Sequence, residues 1–282
     1  MNVGIIGLGL IGGSMALDLK RRGFADRITG VENVPVNADA ALRLGLCDEI
    51  GTLADCISRS DIIILAVPVG TAMKLLPQAL DLLGDDSDKI VLDVCSVKEA
   101  VVRVVNCHQA RSRYVATHPM AGTEYSGPWA ARPGLFDGQA CILCDTEESA
   151  PDALRGVRKL YDALNMRTLF MGSSAHDVHA AYISHISHIT SFALALTVLD
   201  KEKDEKHIFD LASGGFSSTV RLAKSSADMW VPILEQNRDN VLHVMDTYME
   251  KMNSLRAAVA EGNGKEIRSL IEEANKVKRT IK

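Results

Sequence analysis

The ten residues from 118 to 127, HPMAGTEYSG, follow a short apolar run, YVAT. They bring an imidazole, a carboxylate, three hydroxyls and two glycines together where a strand should end. Histidine is the side chain best suited to take up a proton near neutral pH, so His118 reads as a candidate general base. Glu124, on the glycine-flanked loop beyond it, reads as a carboxylate that gates a crevice or pairs with a cation. A second strand end, CSVK, offers Ser96 to hold the imidazole or a substrate hydroxyl, while Lys98 reads as the solvent-exposed start of the next helix. Far along the chain, GGFSSTVRLAKSSADMW places Arg221 after a Gly-Gly-Phe turn, with Trp230 on the next segment. Arginine recognises carboxylates bidentately, and glycines let a ligand approach the backbone.

The N-terminus supplies a partner for such a base. Gly7-Leu8-Gly9-Leu10-Ile11-Gly12 follows an apolar strand and opens an amphipathic helix, and Glu32 stands twenty residues beyond Gly12. In that context a GxGxxG run is a dinucleotide fingerprint. Gly7 permits the tight turn, Gly9 lets the backbone approach a pyrophosphate, and Gly12 lets the helix lie close to the sheet. Leu10 and Ile11 open the helix whose free N–H groups face the phosphates. Glu32 can accept hydrogen bonds from ribose hydroxyls and would repel a 2′-phosphate, which favours NAD over NADP. DIIILAVP ends in Val67-Pro68, a turn that can lie along the cofactor. An alcohol oxidised by NAD loses a hydride from carbon and a proton from oxygen, and His118 is placed to take the proton.

Two kinds of pattern position these groups. From residue 1 to 172, β-branched runs (NVGIIG, RITGVE, DIIILAVP, KIVLDV, RYVAT, QACILC, RTLFMG) alternate with helical segments. Near-continuous apolar strands between helices imply an α/β Rossmann-like domain with a largely parallel sheet covered on both faces. From 173 to 282 the pattern is helical throughout, an all-α domain. SSAHDVHAAYISHISHITSFALALTVLDK reads as a helix whose second part, SFALALTVL, is apolar nearly all round and suits full burial, some of it against a second copy. Residues 227–262 read as one long helix that Asp228 could cap, with Pro232 in its first turn and Gly262 at its end. Residues 200–207 read as a charged loop.

The formal charge of −5 and the absence of a basic recognition helix argue against nucleic acid as a partner. No apolar run approaches a membrane span, and the N-terminus lacks the basic region of a signal peptide. Six cysteines suggest a reducing, cytoplasmic compartment. Cys141 and Cys144, three apart in a strand, point to opposite faces. His176, His179, His185 and His188 cannot all share one face of a regular helix, and no third zinc ligand can be assigned, so no metal is expected.

GLGLIGGSMAL, DIIILAVPV, DVCSVK, HPMAGTEYSG, SHISH and GGFSSTVRLAKSSADMW occur in the order seen in prephenate and arogenate dehydrogenases of tyrosine biosynthesis, which the chain resembles over nearly its whole length. The resemblance implies a helical domain that dimerises and NAD-dependent oxidative decarboxylation of prephenate to 4-hydroxyphenylpyruvate. It implies His118 as the base, Ser96 as its hydrogen-bonding partner, Glu124 as a gating carboxylate and Arg221 as the holder of a substrate carboxylate. It also implies His188 beside the substrate, with Gly214 and Trp230 near it across the subunit boundary. Two departures stand out: Ser217-Ser218 replaces the family's frequent basic–acidic pair, and Ser187 interrupts its SH-x-PH pattern. The alternatives are arogenate as substrate, another NAD(P)-dependent hydroxy-acid dehydrogenase or imine reductase, and a non-catalytic dinucleotide sensor.

Overall fold

The β-branched runs become the strands of a single sheet: β1 (Asn2–Ile6), β2 (Arg27–Val31), β3 (Glu49–Ile50), β4 (Ile62–Leu65), β5 (Ile90–Asp93), β6 (Tyr114–Pro119), β7 (Ala140–Cys144) and β8 (Arg167–Met171). The structure, a computed structural model, describes residues 1–84, 88–205 and 207–279. Spatially the strands run β3-β2-β1-β4-β5-β6-β7-β8. β1 to β6 are mutually parallel; β7 is antiparallel to β6 and parallel to β8. The order reverses between β1 and β4, and ligands of such sheets sit beyond the strand ends at that switch point.

Alternation along each strand splits the core in two. Val3, Ile5, Ile62, Ile64, Leu92 and Val115 pack on one face with α1 (Leu10–Arg21), while Ile6, Ile63, Leu65, Val91 and Ala116 pack on the other. Each buried Val, Ile or Leu among them contributes about 1.5–3 kcal/mol of apolar transfer free energy. Cys141 and Cys144 divide between the same two faces, as their spacing requires. The intervening helices are α2 (Pro35–Arg43), α3 (Leu53–Arg59), α4 (Val69–Asp81), α5 (Glu99–Arg103) and α6 (Pro151–Ala163).

After Met171 no strand occurs among the described residues. α7 (Ser173–Ala180) runs through a π-helical turn at Ala181–His185 into α8 (Ile186–Asp204). Asp200–Asp204 therefore belong to α8 rather than to a charged loop; Lys206 lies outside the described residues. α9 (Gly214–Thr219) and α10 (Ala227–Gln236) follow, then α11 (Arg238–Ala260) and α12 (Gly264–Ala274).

The single helix expected over 227–262 is two helices. The chain breaks at Asn237 (φ −110°, ψ 27°), whose side-chain amide is committed to two tertiary hydrogen bonds. The first helix is capped by Ser226 rather than Asp228, which lies in its first turn, and Pro232 falls beyond that turn. Gly262, at φ +62°, closes the second as expected. By proximity of Cα atoms the chain divides at this break, into Met1–Asn237 and Arg238–Lys282.

Candidate active site

The glycine run forms a cradle at the C-terminal end of β1. Gly7 has φ +94°, and a Cβ there would lie 2.4 Å from the carbonyl oxygen of Ala66. A Cβ on Gly12 would lie 2.0 Å from the oxygen of Gly7. Only glycine fits either position. Gly9, the N-cap of α1, is different: a Cβ there would meet nothing nearer than the Gly127 nitrogen, 4.0 Å away. The backbone is thus exposed where Leu10 and Ile11 begin the helix and its N–H groups are free, which fits a dinucleotide pyrophosphate. Glu32 follows β2, and its carboxylate accepts from Val34 N at 3.1 Å and Leu8 N at 3.4 Å. That holds it beside the glycine turn. Val67 and the exposed Pro68, which caps α4, line the neighbouring strand end.

His118 lies within β6, paired to Ile142 of β7, and is buried. The partner of its ring is His176 on α7, not Ser96: Nδ1 of His118 lies 2.8 Å from Nε2 of His176. Nδ1 of His176 in turn lies 2.8 Å from Oδ1 of Asp177. The Asp177 carboxylate also accepts from the backbone nitrogens of Lys98 (2.7 Å) and Glu99 (3.0 Å). A carboxylate only accepts, so a neutral His176 carries its proton on Nδ1 and offers the Nε2 lone pair to His118. The His118 proton then sits on Nδ1, and its Nε2 is left with a lone pair. Burial, then the fields of His176, Lys98 and His185, holds the His118 pKa well below the ordinary imidazole value. The group is a neutral base.

Behind β6 lies a fully buried polar network. Lys98 is entirely buried rather than in contact with solvent; its ammonium pairs with Asp93 and donates to the Thr117 carbonyl at 2.6 Å. Tyr114 OH donates to the other Asp93 oxygen at 2.7 Å. Burial opposes the Lys98 charge, but the Asp93 carboxylate outweighs it and raises the lysine pKa. Ser96, half-buried, follows this network at the end of β5.

The helical elements supply the other wall. Trp230 stacks on His188 of the same chain with ring centroids 3.7 Å apart. His185 meets the same indole edge-on at 5.7 Å. The π-helical turn makes this possible: His176 and His185, set on opposite faces by regular helix geometry, are both 1% exposed. Burial, then Arg221, lowers the His188 pKa, against a hydrogen bond from its ring to the Ser184 carbonyl. Arg221 pairs with Glu124, Nη1 to Oε2, at 3.2 Å. Gly214 opens α9 in open space and joins none of these contacts. His176, Asp177 and His185 were not singled out as site residues; their only local signal is a run of histidines that reads equally as a metal pattern.

The family model of the prephenate dehydrogenase nucleotide-binding domain matches residues 15–169, and that of the prephenate dehydrogenase dimerization domain matches 172–273. Prephenate dehydrogenase of Bacillus subtilis is 30% identical over 259 residues, covering 91% of this chain and 70% of the relative. The crystal structure of prephenate dehydrogenase from Aquifex aeolicus with hydroxyphenyl propionate and NAD+ superposes with a TM-score of 0.91 at 29% identity, covering 100% of this chain and 98% of that one. Synechocystis arogenate dehydrogenase superposes with a TM-score of 0.79 at 29% identity and 99% coverage of both chains. With two domain models meeting near residue 170 and relatives matched along nearly the whole length, the chain belongs to the prephenate dehydrogenase family.

Proposed function

We propose that this protein is an NAD-dependent prephenate dehydrogenase that oxidatively decarboxylates prephenate to 4-hydroxyphenylpyruvate for tyrosine biosynthesis. The observation that carries this reading is the His118–His176–Asp177 chain, which engages Nδ1 of His118 and leaves Nε2 of the neutral imidazole with the lone pair.

The residues divide the work as follows. Bound NAD, held by Gly7, Gly9, Leu10, Ile11, Gly12, Glu32, Val67 and Pro68, supplies the hydride acceptor. His118 takes the proton of the ring hydroxyl at Nε2, so the carbonyl that forms is never a protonated ketone. Ser96, at the neighbouring strand end, holds the same hydroxyl. Arg221 binds a substrate carboxylate, and Glu124 holds the guanidinium until the substrate displaces it. His188 and Trp230 shape the rest of the pocket, and Gly214 approaches the substrate from the partner subunit of the dimer. As the ring carboxylate leaves as CO₂, its bonding electrons enter the dienone, the ring becomes aromatic, and the phenolate oxygen takes back the proton held by His118. The protein therefore contributes orientation, one base and charge-holding groups.

Residues 1–172 serve as the nucleotide domain and 173–282 as the substrate and dimerisation domain. α8 supports a homodimer: within its largely apolar segment 191–199, Leu196 and Leu199 are 61% and 49% exposed in one chain. Six free cysteines, five of them buried, fit a reducing cytoplasm.

Incubation with prephenate and NAD should yield NADH and CO₂ in equal amounts, and light scattering should give the mass of a dimer. Arogenate, which carries an ammonium where prephenate has a ketone, is the second substrate to assay, since an arogenate dehydrogenase shares this fold at 29% identity. Turnover of neither substrate would reject the reading in favour of another dehydrogenase or a non-catalytic sensor. NADP should serve poorly, because Glu32 opposes a 2′-phosphate.

A further inference from the structure

His185 ends the π-helical turn and is 1% exposed, yet the mechanism above gives it no part. Its two ring nitrogens stand in different surroundings. Nδ1 lies 3.2 Å from Nδ2 of Asn237, and that same amide nitrogen donates to the Asp177 carbonyl at 2.7 Å. A carbonyl only accepts, so the atom facing it is the amide nitrogen, whose second hydrogen is directed at His185. An amide N–H only donates, so Nδ1 of His185 must hold a lone pair and the ring proton must sit on Nε2. Burial lowers the pKa of the ring to about 4, so it is neutral at physiological pH.

The consequence is a donor of fixed direction. His185 Nε2–H is buried and has no hydrogen-bond partner in the protein, and the Nε1–H of Trp230 beside it is in the same condition. Folded proteins rarely leave such donors unpaired. Both rings adjoin groups assigned to the site: His185 meets Trp230 edge-on at 5.7 Å, and Trp230 stacks on His188 at 3.7 Å.

We propose that His185 is a substrate-binding residue, donating through Nε2–H, with Trp230 Nε1–H beside it, to a carboxylate oxygen of the substrate. Asn237 is the positioning residue that fixes its tautomer. This inference rests on the crevice being the prephenate site. Prephenate carries two carboxylates, one on the ring and one on the side chain, and the product keeps only the second.

The test uses the whole enzyme labelled with ¹⁵N-histidine and loaded with NADH, so that no turnover occurs. The Hε2 resonance of His185 should move downfield when ligand saturates the site, as judged by calorimetry. Movement with both prephenate and 4-hydroxyphenylpyruvate assigns the side-chain carboxylate; movement with prephenate alone assigns the ring carboxylate. An unmoved resonance with both ligands bound overturns the proposal. In kinetics, His185→Leu should raise KM for prephenate about ten- to a hundredfold while kcat and the KM for NAD change by less than about threefold. His185→Gln keeps an amide N–H and should recover most of the loss, which a merely structural role would not predict. An unchanged KM in His185→Leu also overturns the proposal. Wild-type enzyme inactive on prephenate would instead overturn the functional reading beneath it, and the inference with it.

Discussion

Nη1 of Arg221 lies 3.2 Å from Oε2 of Glu124, a contact that joins the loop after β6 to the 3-10 turn after α9. The guanidinium is about half exposed, so the pair is accessible to an incoming anion. An exposed ion pair contributes little to folding, but the same guanidinium turned toward a carboxylate contributes to binding. Arg221→Ala should raise KM for prephenate by about tenfold or more with a smaller effect on kcat, and leave the melting temperature essentially unchanged. Steady-state kinetics and a thermal melt on the same preparation check both halves. A variant that melts early with a normal KM would make the pair structural.

His118 sits where its Nε2 can accept only because His176 and Asp177 fix the proton at Nδ1. His118→Asn should lower kcat by about 10²- to 10⁴-fold, the contribution of a positioned base. The Kd for NAD, measured by fluorescence titration, should hardly move, because the dinucleotide cradle is built by β1 and α1. Normal turnover in this variant would remove His118 as the base.

These two sites show how legibility divides. The sheet was readable because strands buried on both faces leave near-continuous β-branched runs, and β3 was missed because two residues carry no pattern. The glycine cradle and His118 were readable because their chemistry lies within short local motifs. The partners of His118 were not, since His176 and Asp177 stand 58 and more residues away. A constant 100° per residue placed His176 and His185 on opposite faces, and the π-helical turn between them cannot be seen in composition. The break at Asn237 was hidden for a related reason: its cause is a pair of tertiary hydrogen bonds, not a helix-breaking residue. Lys98 looked like an exposed helix start because a lysine is almost never fully buried unless paired, and its partner Asp93 lies in the preceding strand.

That buried pair makes a prediction of its own. Lys98 and Asp93 have no exposed side-chain surface. Replacing one member of a buried pair leaves the other charge unpaired and costs about 3–5 kcal/mol. Lys98→Met should therefore lower stability by that order in urea unfolding, whereas an exposed lysine would give almost no change. Because Lys98 also helps to depress the His118 pKa, the acid limb of kcat/KM in any folded Lys98→Met enzyme should shift to higher pH.

Acid should unfold this protein earlier than its carboxylates alone would require. His118, His185 and His188 all have pKa values lowered in the folded state, chiefly by burial, and that of His185 falls to about 4. Below about pH 6.5, the ordinary histidine value, the unfolded chain binds protons that the folded chain refuses. Stability therefore rises with pH through this window and falls as pH drops from 6.5 toward 4. At pH 5, His185 alone accounts for a loss of about 2 kcal/mol relative to pH 7. Carboxylates held below their usual range, such as Asp48, lose their contribution only at lower pH, so the window from 6.5 to 5 belongs to the histidines. Urea unfolding at pH 7, 6 and 5 should show a progressive fall in midpoint, and in His185→Gln a shallower one. A flat profile would mean that these imidazoles are not held neutral in the folded protein.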